Sequence, residues 1–219
     1  MVQRHHYNDK ISAIDRKILM MGTYVEDAIK KCIKALLEKD KDLAQKIIND
    51  DAIINSLELS IQDDLTMLIA TEQPVAGDLR HVITSLKVVT QLERMGDHAV
   101  HIAKVTLQIA DQHYIKPLID VPRMAEIGVE MLHTVLTAFI ESDARLAREV
   151  AEEDDKVDHL RDQVSRELFT YMLQDLKNFD QVTSLLFITR WLERFADHVT
   201  NICEWIVYDC TGEHVELNL

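Results

Sequence analysis

The chain has 219 residues, of which 38 are acidic and 24 basic, so its formal charge at neutral pH is -14. Almost half of the residues (47%) are hydrophobic, which is enough apolar material for a packed core and excludes wholesale disorder. A strongly acidic chain without a cluster of Lys and Arg is not expected to bind nucleic acid. Its surplus carboxylates serve either solubility or cation binding, and composition alone leaves both alternatives open.

Long helices are predicted from the scarcity of turn residues, because the chain has only 5 Gly and 3 Pro. Apolar residues recur at steps of three and four positions, as in Val82, Leu86 and Val89, whereas strict alternation is nowhere sustained. Interruptions of this periodicity divide the chain into six predicted helices, which span 8–38, 41–71, 75–112, 122–141, 144–176 and 180–210. Helices of this length must bury an apolar face against their neighbours.

The chain contains an internal repeat. LERMGDHA at 92–99 matches LERFADHV at 192–199, and the segment 38–57 matches 141–160. Each half therefore corresponds to one three-helix unit. We predict an all-α fold class with two tandem three-helix bundles, residues 1–114 and 115–219, related by an internal pseudo-two-fold repeat.

Cysteine usage and the apolar pattern indicate a cytoplasmic protein. Cys32, Cys203 and Cys210 form no CxxC pair, and an odd number without framework spacing fits a reducing compartment. The N-terminus lacks the apolar stretch of a signal peptide. No apolar run reaches the roughly 18 residues that a membrane span needs, so no membrane insertion is expected.

The repeated octapeptide places two carboxylates four residues apart on one helical face in each half. Like charges at this spacing repel by roughly 0.2–0.5 kcal/mol in an isolated helix. The preceding helix of each half carries oxygen-bearing side chains at the same spacing. The eight positions are Asp51, Asn55, Glu93 and Asp97 in the first half, and Asp154, Asp158, Glu193 and Asp197 in the second.

Two interpretations of these positions remain open. Arginines three residues away, such as Arg190 before Glu193, favour a solvated face with salt bridges. Alternatively, the antiparallel second and third helices of each unit hold a cation between them, as in carboxylate sites of helical bundles. Such sites suit Mg, Mn, Ca or iron, and added imidazoles extend the range to zinc. The additional candidate ligands are His101, Asn201, His98 and His198.

Motifs for catalysis are sparse. A ferritin-like di-iron enzyme requires two Glu-x-x-His pairs, and the sequence offers one, from Glu130 to His133. There is no phosphate-binding loop, no dinucleotide fingerprint and no HExxH motif. We therefore predict no enzymatic activity and no catalytic residues. A metal-dependent helical-bundle enzyme or a metal store is the alternative.

The doubled LERxxDH motif, the DLA-containing segment before it in each half and the opening RHHYNDKI…MMGTYVEDAIKKCIKAL resemble the PhoU family of phosphate-uptake regulators. The resemblance covers both repeats. It implies a cytoplasmic, non-enzymatic adaptor between the phosphate ABC transporter and a sensor histidine kinase, which represses the phosphate-starvation response when phosphate is plentiful. It also implies a homodimer or a larger oligomer.

The resemblance further implies bound metal ions, with iron or zinc first and Mn, Mg or Ca as alternatives. Carried over position by position, the family's metal-binding motifs fall on the eight positions named above. Asn55 stands where an aspartate is expected, which leaves the first-half site one charge poorer. The resemblance assigns no role to the segment after Asp209.

Overall fold

A computed structural model describes the backbone of residues 2–217 and the side chains of residues 7–217. This part of the chain is helical and contains no strand, which confirms the predicted all-α class. The α-helices are α1 Val2–Glu38, α2 Lys41–Glu72, α3 Gly77–Ile109, α4 Asp120–Glu141, α5 Ala144–Ala151, α6 Asp154–Gln174 and α7 Phe179–Thr211. A short 3-10 helix, Leu176–Asn178, joins α6 to α7.

The predicted fifth helix, 144–176, consists of two segments. A turn at Glu152 and Glu153 separates α5 from α6, so the second half has one more helical segment than the first. Asp154 and Asp155 lie in the first turn of α6, where negative charge is favourable because of the helix dipole. The other five helices lie where the sequence predicts them, with ends that differ by at most six residues.

The helices pack as two three-helix units. α1, α2 and α3 pack on one another in the first half, and α4, the α5–α6 pair and α7 do so in the second. Between the halves, α3 packs against α7 and α1 against α4. Both contacts join helices that are equivalent in the repeat, as a pseudo-two-fold relation requires. The predicted boundary between residues 114 and 115 falls in the connection 110–119 between α3 and α4.

Equivalent aspartates begin the second helix of each unit. The Asp40 side chain accepts a hydrogen bond from the backbone N–H of Leu43, which caps α2. Asp143 accepts from the backbone N–H groups of Arg145 and Leu146 and caps α5 in the same way. The repeat therefore extends to the residues that fix where these helices start.

Contacts along α3 and α7 show that the two helices run antiparallel. The Thr84 hydroxyl donates to the Trp205 carbonyl oxygen at 3.3 Å, and His198 Nδ1 lies 2.7 Å from Gln91 Oε1. The core between and around these helices includes Met95 and Phe195, which occupy equivalent positions of the repeat and are both fully buried.

The segment after α7 folds back along that helix. The His214 ring stacks on Tyr208 with 4.3 Å between ring centroids, and the Leu217 backbone N–H donates to Glu204 Oε1 at 2.8 Å. Residues 212–217, to which the sequence assigns no role, therefore cover part of α7. Across the described residues, no helix combines the length and the apolar character that crossing a membrane requires.

Candidate metal centres

The first carboxylate cluster lies between α2 and α3. Asp51 and Asn55 on α2 are half-buried, and the Asn55 amide donates to Asp51 Oδ2 at 3.0 Å. The remaining oxygens, Asp51 Oδ1 and Asn55 Oδ1, are buried and have no hydrogen-bond partner within residues 7–217. Glu93 and Asp97 face them from α3. Buried acceptor oxygens without a donor destabilise a protein, and a cation satisfies them.

Mutual repulsion within the first cluster shows in the pKa values. Burial raises the pKa of Asp51, and the charge of Asp97 raises it further. Burial also raises the pKa of Glu93, together with the charges of Asp97, Glu58 and Asp51. The three carboxylates predicted in this half are therefore electrostatically coupled across the two helices, whereas the hydrogen bond from Asn55 acts to lower the pKa of Asp51.

Glu58 is a member of this cluster that the sequence analysis missed. Burial and the charge of Asp97 raise its pKa. It lies seven residues after Asp51, two helical turns further along the same face of α2. Because the equivalent residue in the second half is Arg161, Glu58 is not part of the pattern that the two halves share. Glu58 adds a carboxylate to the half in which Asn55 replaces an aspartate.

The second cluster lies between α6 and α7. Asp154 and Glu193 are only 6% and 9% exposed. Burial, followed by the charges of Asp197, Asp158 and Glu193, raises the pKa of Asp154 to about 7. Glu193 Oε2 is buried without a hydrogen-bond partner among the described residues, and Arg190 Nε approaches it to 3.5 Å.

Two arginines distinguish the second cluster from the first. Arg161 lies 3.4 Å from Asp158, and Arg190 forms the predicted pair with Glu193. Both charges act to lower the pKa of Glu193, although burial outweighs them. Since Asp154 and Glu193 are buried, the solvated-face interpretation does not account for this cluster.

The carboxylates are close together but are not arranged as ligands. Within residues 7–217, no group of three or more His, Cys, Asp or Glu side chains has the spacing of a metal site. The donor set nevertheless fits a hard cation, because it consists of carboxylate and amide oxygens, some of them buried and unsatisfied. Binding a cation would require the side chains to turn toward it. A cavity of about 320 Å³ beside Asp154 and Asp158 gives room for this.

The additional candidate ligands lie in different surroundings. His98 stacks on His198 across the α3–α7 interface, with 5.2 Å between ring centroids, and His101 stacks on Trp191 at the same distance. The pKa of His98 is lowered to about 3 and that of His198 to about 4, and burial is the largest cause in both cases. These two rings therefore belong to the interface between the halves. Asn201 donates to the backbone oxygen of Asp197.

Within the part of the chain that the structure describes, the predicted Glu-x-x-His pair faces no second pair of this kind. His133 is exposed on α4, and its Nδ1 lies 3.4 Å from Glu26 on α1. Glu130 is exposed as well. A ferritin-like centre needs such pairs to project into the bundle, so this arrangement does not build one.

The comparisons with known proteins agree with the two-repeat fold. The PhoU domain family matches residues 18–106 and 121–206, once in each repeat. The phosphate-specific transport system accessory protein PhoU homolog of Clostridium acetobutylicum is 36% identical over 216 residues, which cover 98% of this chain and 99% of that protein. The phosphate-specific transport system accessory protein PhoU of Escherichia coli is 34% identical over 207 residues. The match covers 94% of this chain and 86% of that protein.

Solved structures match equally well. The crystal structure of PhoU from Pseudomonas aeruginosa superposes with a TM-score of 0.90 and 33% identity, and the match covers 94% of this chain and 100% of that one. The crystal structure of the phosphate transport system regulatory protein PhoU from Streptococcus pneumoniae gives a TM-score of 0.89 at 33% identity. That match covers 95% of this chain and 99% of the other.

Two helical repeats, each with carboxylates brought together from two helices, define the class of two-repeat, all-α bundle proteins to which these solved structures belong. The chain belongs to the PhoU family. The prediction that it is not an enzyme is confirmed by this membership, since PhoU proteins are regulatory, and the alternative of a metal-dependent enzyme is wrong.

Proposed function

We propose that this protein is a cytoplasmic regulator of phosphate uptake that binds metal ions at its two carboxylate clusters. In this proposal it is the adaptor between a phosphate ABC transporter and a sensor histidine kinase, and it represses the starvation response when phosphate is plentiful. Relatives that match almost the whole chain carry the name of accessory proteins of the phosphate-specific transport system, which supports the regulatory part.

The observation that carries the metal part is the equivalent pair of clusters. Each half brings carboxylates from two helices together, and each leaves at least one buried carboxylate oxygen without a hydrogen-bond partner among the described residues. Raised pKa values at Asp51, Asp154 and Glu193 show that the charged forms are disfavoured as they stand. A bound cation would supply the compensating positive charge.

The chain's own residues determine what such binding does. Asp51, Asn55, Glu58, Glu93 and Asp97 connect α2 to α3, whereas the second set connects α6 to α7. Ligands recruited from two helices hold those helices together, so binding stabilises each bundle by mass action. Iron or zinc is the first expectation, with Mn, Mg or Ca as alternatives. Neutralising the carboxylates also changes the charge of the surface offered to a partner protein.

The assembly state belongs to the same proposal. We propose a homodimer or a larger oligomer, in which each protomer keeps its own two clusters because every ligand position lies within one chain. Neither nucleic acid nor direct membrane insertion is part of the mechanism.

A pull-down from phosphate-replete cells, combined with elemental analysis, tests this function. The bait is the full chain, compared with Glu193→Ala/Asp197→Ala. Glu126→Ala/Glu130→Ala is the matched control, because it removes two exposed carboxylates at the same spacing on α4. We expect the bait and the control to retain metal and to recover the transporter's ATPase subunit and the kinase. The cluster variant should contain less metal, because only its first cluster is intact, while keeping its helicity.

The outcomes separate the parts of the proposal. Unchanged metal stoichiometry in Glu193→Ala/Asp197→Ala would show that the second cluster is not a metal site. Metal binding without recovery of any transport or kinase subunit would contradict the adaptor role and indicate a metal store.

A further inference from the structure

A groove of about 690 Å³ lies between the C-terminal half of α1 and the N-terminal half of α4. We call it the α1–α4 groove. Its apolar floor consists of Ile29, Ile33, Leu37, Pro122, Ala125 and Val129. Leu37 is 45% exposed, and charged side chains border the floor on both sides. An apolar surface with a charged border is typical of a protein–protein interface.

Contacts between α1 and α4 define which residues lie level with each other along the groove. Gly22 of α1 packs against the Leu136 side chain, and Glu26 Oε1 lies 3.4 Å from His133 Nδ1. The contact moves back along α4 as it moves forward along α1, so the two helices run antiparallel. Because both helices rise by about 1.5 Å per residue, positions 30 and 34 of α1 lie close to the levels of positions 130 and 126 of α4.

The two walls of the groove carry opposite charges at these levels. Lys30 and Lys34 lie on the α1 wall, and their side chains are 59% and 62% exposed. Glu130 and Glu126 lie on the α4 wall and are exposed as well. Among the residues that the structure describes, each lysine pairs only with a glutamate of α1, one helical turn away, and neither reaches a carboxylate of α4. Exposed pairs within one helix contribute little, so both walls remain able to bind a partner.

The order of charges along the groove is complementary between the walls. Along α1 the order is basic, basic and acidic, at Lys30, Lys34 and Glu38. Along α4, near the same levels, the order is acidic, acidic and basic, at Glu130, Glu126 and Arg123. A surface that carries both members of a complementary pair at matching levels is complementary to a copy of itself. This matters in a chain of charge -14, because two copies otherwise repel each other.

We propose that the α1–α4 groove is the contact surface between two copies of this chain, related by a two-fold axis that runs along the groove. This axis places α1 of each protomer over α4 of the other without a shift along the groove, so both lysine walls meet glutamate walls. A two-fold axis across the middle of the groove would place lysines on lysines, which the charges disfavour. Each α1 then has an antiparallel α4 on two sides, and the four helices form an antiparallel bundle around the two apolar floors.

This interface rests on one part of the proposed function, the homodimer. Metal binding and the regulatory role do not depend on it, since each protomer holds both of its clusters. The predicted metal ligands lie on α2, α3, α6 and α7, whereas the groove lies on α1 and α4. Substitutions in the groove therefore leave every predicted ligand in place.

Charge reversal of one wall at a time, with the mass of the full chain measured by sedimentation equilibrium, tests the interface. Lys30→Glu/Lys34→Glu makes both walls acidic, and Glu126→Lys/Glu130→Lys makes both walls basic. We expect each variant to dimerise about 100-fold more weakly or worse, because attraction becomes repulsion at four ion pairs. An equimolar mixture of the two variants should form a heterodimer. The chain that combines all four substitutions should dimerise as the unmodified chain does.

Matched variants separate the interface from the effect of net charge. Lys46→Glu/Lys177→Glu changes the net charge equally at exposed sites on α2 and in the 3-10 helix, and should leave the dimer intact. Glu126→Ala/Glu130→Ala should retain most of the dimer, since exposed ion pairs contribute little and truncation introduces no repulsion.

Two further variants test the apolar floor. Leu37→Asp places a charge on the floor and should weaken dimerisation by about tenfold or more, whereas Leu173→Asp, at an exposed position of α6, should not. Circular dichroism measures the helicity of every variant. The chain with all four wall substitutions has the same repulsion within α1 as Lys30→Glu/Lys34→Glu, so its recovery of the dimer excludes a folding defect.

Three results would overturn the interface. A dimer that survives both wall reversals would place the contact elsewhere and leave the proposed homodimer standing. Failure of both the mixture and the four-substitution chain to dimerise would show that the walls do not face each other. A monomeric mass of the unmodified chain at every concentration would contradict the groove and the homodimer together; if that monomer still binds cations and recovers transport subunits, the rest of the proposed function stands.

Discussion

His81 Nδ1 lies 2.7 Å from Asp209 Oδ2, which ties the start of α3 to the end of α7. The other ring nitrogen lies 3.4 Å from Asp15 on α1, and the ring stacks on Phe139 of α4. One imidazole thus contacts three other helices, including both helices of the second half that pack against the first. At the equivalent position, Gln181 accepts from the Ile115 backbone N–H, so it binds the connection between the halves.

His81 should make stability depend on pH. Burial alone would lower its pKa, but hydrogen bonds with Asp15 and Asp209 outweigh burial and raise it to about 9 from an ordinary 6.5. The stabilisation is therefore fully present below about pH 6.5 and is lost as the pH rises to about 9. We expect His81→Gln to cost about 1–3 kcal/mol at pH 6, as for a hydrogen-bonded charge, and much less at pH 9.5.

Urea unfolding of both proteins between pH 6 and pH 9.5 measures this difference. His133→Gln, at an exposed histidine, is the control and should shift nothing. A cost of His81→Gln that does not change with pH would show that the ring acts through packing alone.

Asp154 should destabilise the cation-free protein at neutral pH. Burial and neighbouring carboxylates raise its pKa to about 7, so stability falls as the pH rises from about 4 to about 7 and the loss is complete above it. In chelator at pH 8, Asp154→Asn should therefore melt at a higher temperature than the unmodified chain, and it should gain less on addition of a divalent cation. Asp63→Asn changes an exposed carboxylate on α2 and should leave both quantities nearly unchanged. A lower melting temperature for Asp154→Asn would contradict this account of the cluster.

The residues Glu58 and Arg161 should set the relative cation affinity of the two clusters. Exchanging them, as Glu58→Arg with Arg161→Glu, reverses the local charge at equivalent positions without changing the net charge. We expect the first cluster to lose affinity and the second to gain it, because like charge repels the cation and opposite charge attracts it. Titration of a divalent cation into each single variant, followed by elemental analysis, measures both effects. Glu58→Arg without loss of affinity would remove Glu58 from the site.

Asp40 should contribute to stability through the start of α2. Its side chain accepts from the Leu43 backbone N–H at 2.9 Å. Asp40→Ala should cost about 1 kcal/mol of the free energy of unfolding, as for other helix caps, whereas Asp40→Asn should retain most of it. Thermal or urea unfolding in chelator separates this effect from cation binding. Equal destabilisation by both substitutions would argue against the cap.

Much of the fold was predictable because the two halves of the chain have similar sequences. LERMGDHA and LERFADHV fix two equivalent helices, and Asp40 and Asp143 mark equivalent helix starts, so six helical stretches follow from local signals. The turn at Glu152 was not predictable, because helix-favouring residues continue through it and periodicity alone does not show the interruption.

The candidate sites were predictable only where the halves agree. Carboxylates present in both copies, such as Glu93 and Glu193, are found when the two halves of the sequence are aligned. Glu58 is not found in this way, because its equivalent is Arg161. The stacking of His98 on His198 depends on how α3 and α7 cross, which is a property of packing between the halves. Sequence spacing places each ring on its own helix but does not show which rings meet.

The folded-back segment 212–217 affects how the protein should be tagged. Leu217 forms part of the wall of the cavity beside Asp154 and Asp158, so a tag joined to this segment is separated from the second cluster by only a few residues of chain. A polyhistidine tag there would bring imidazole groups to a place where a cation is expected, and it would inflate any measured metal content. An affinity tag attached ahead of α1 avoids adding ligands at that cavity.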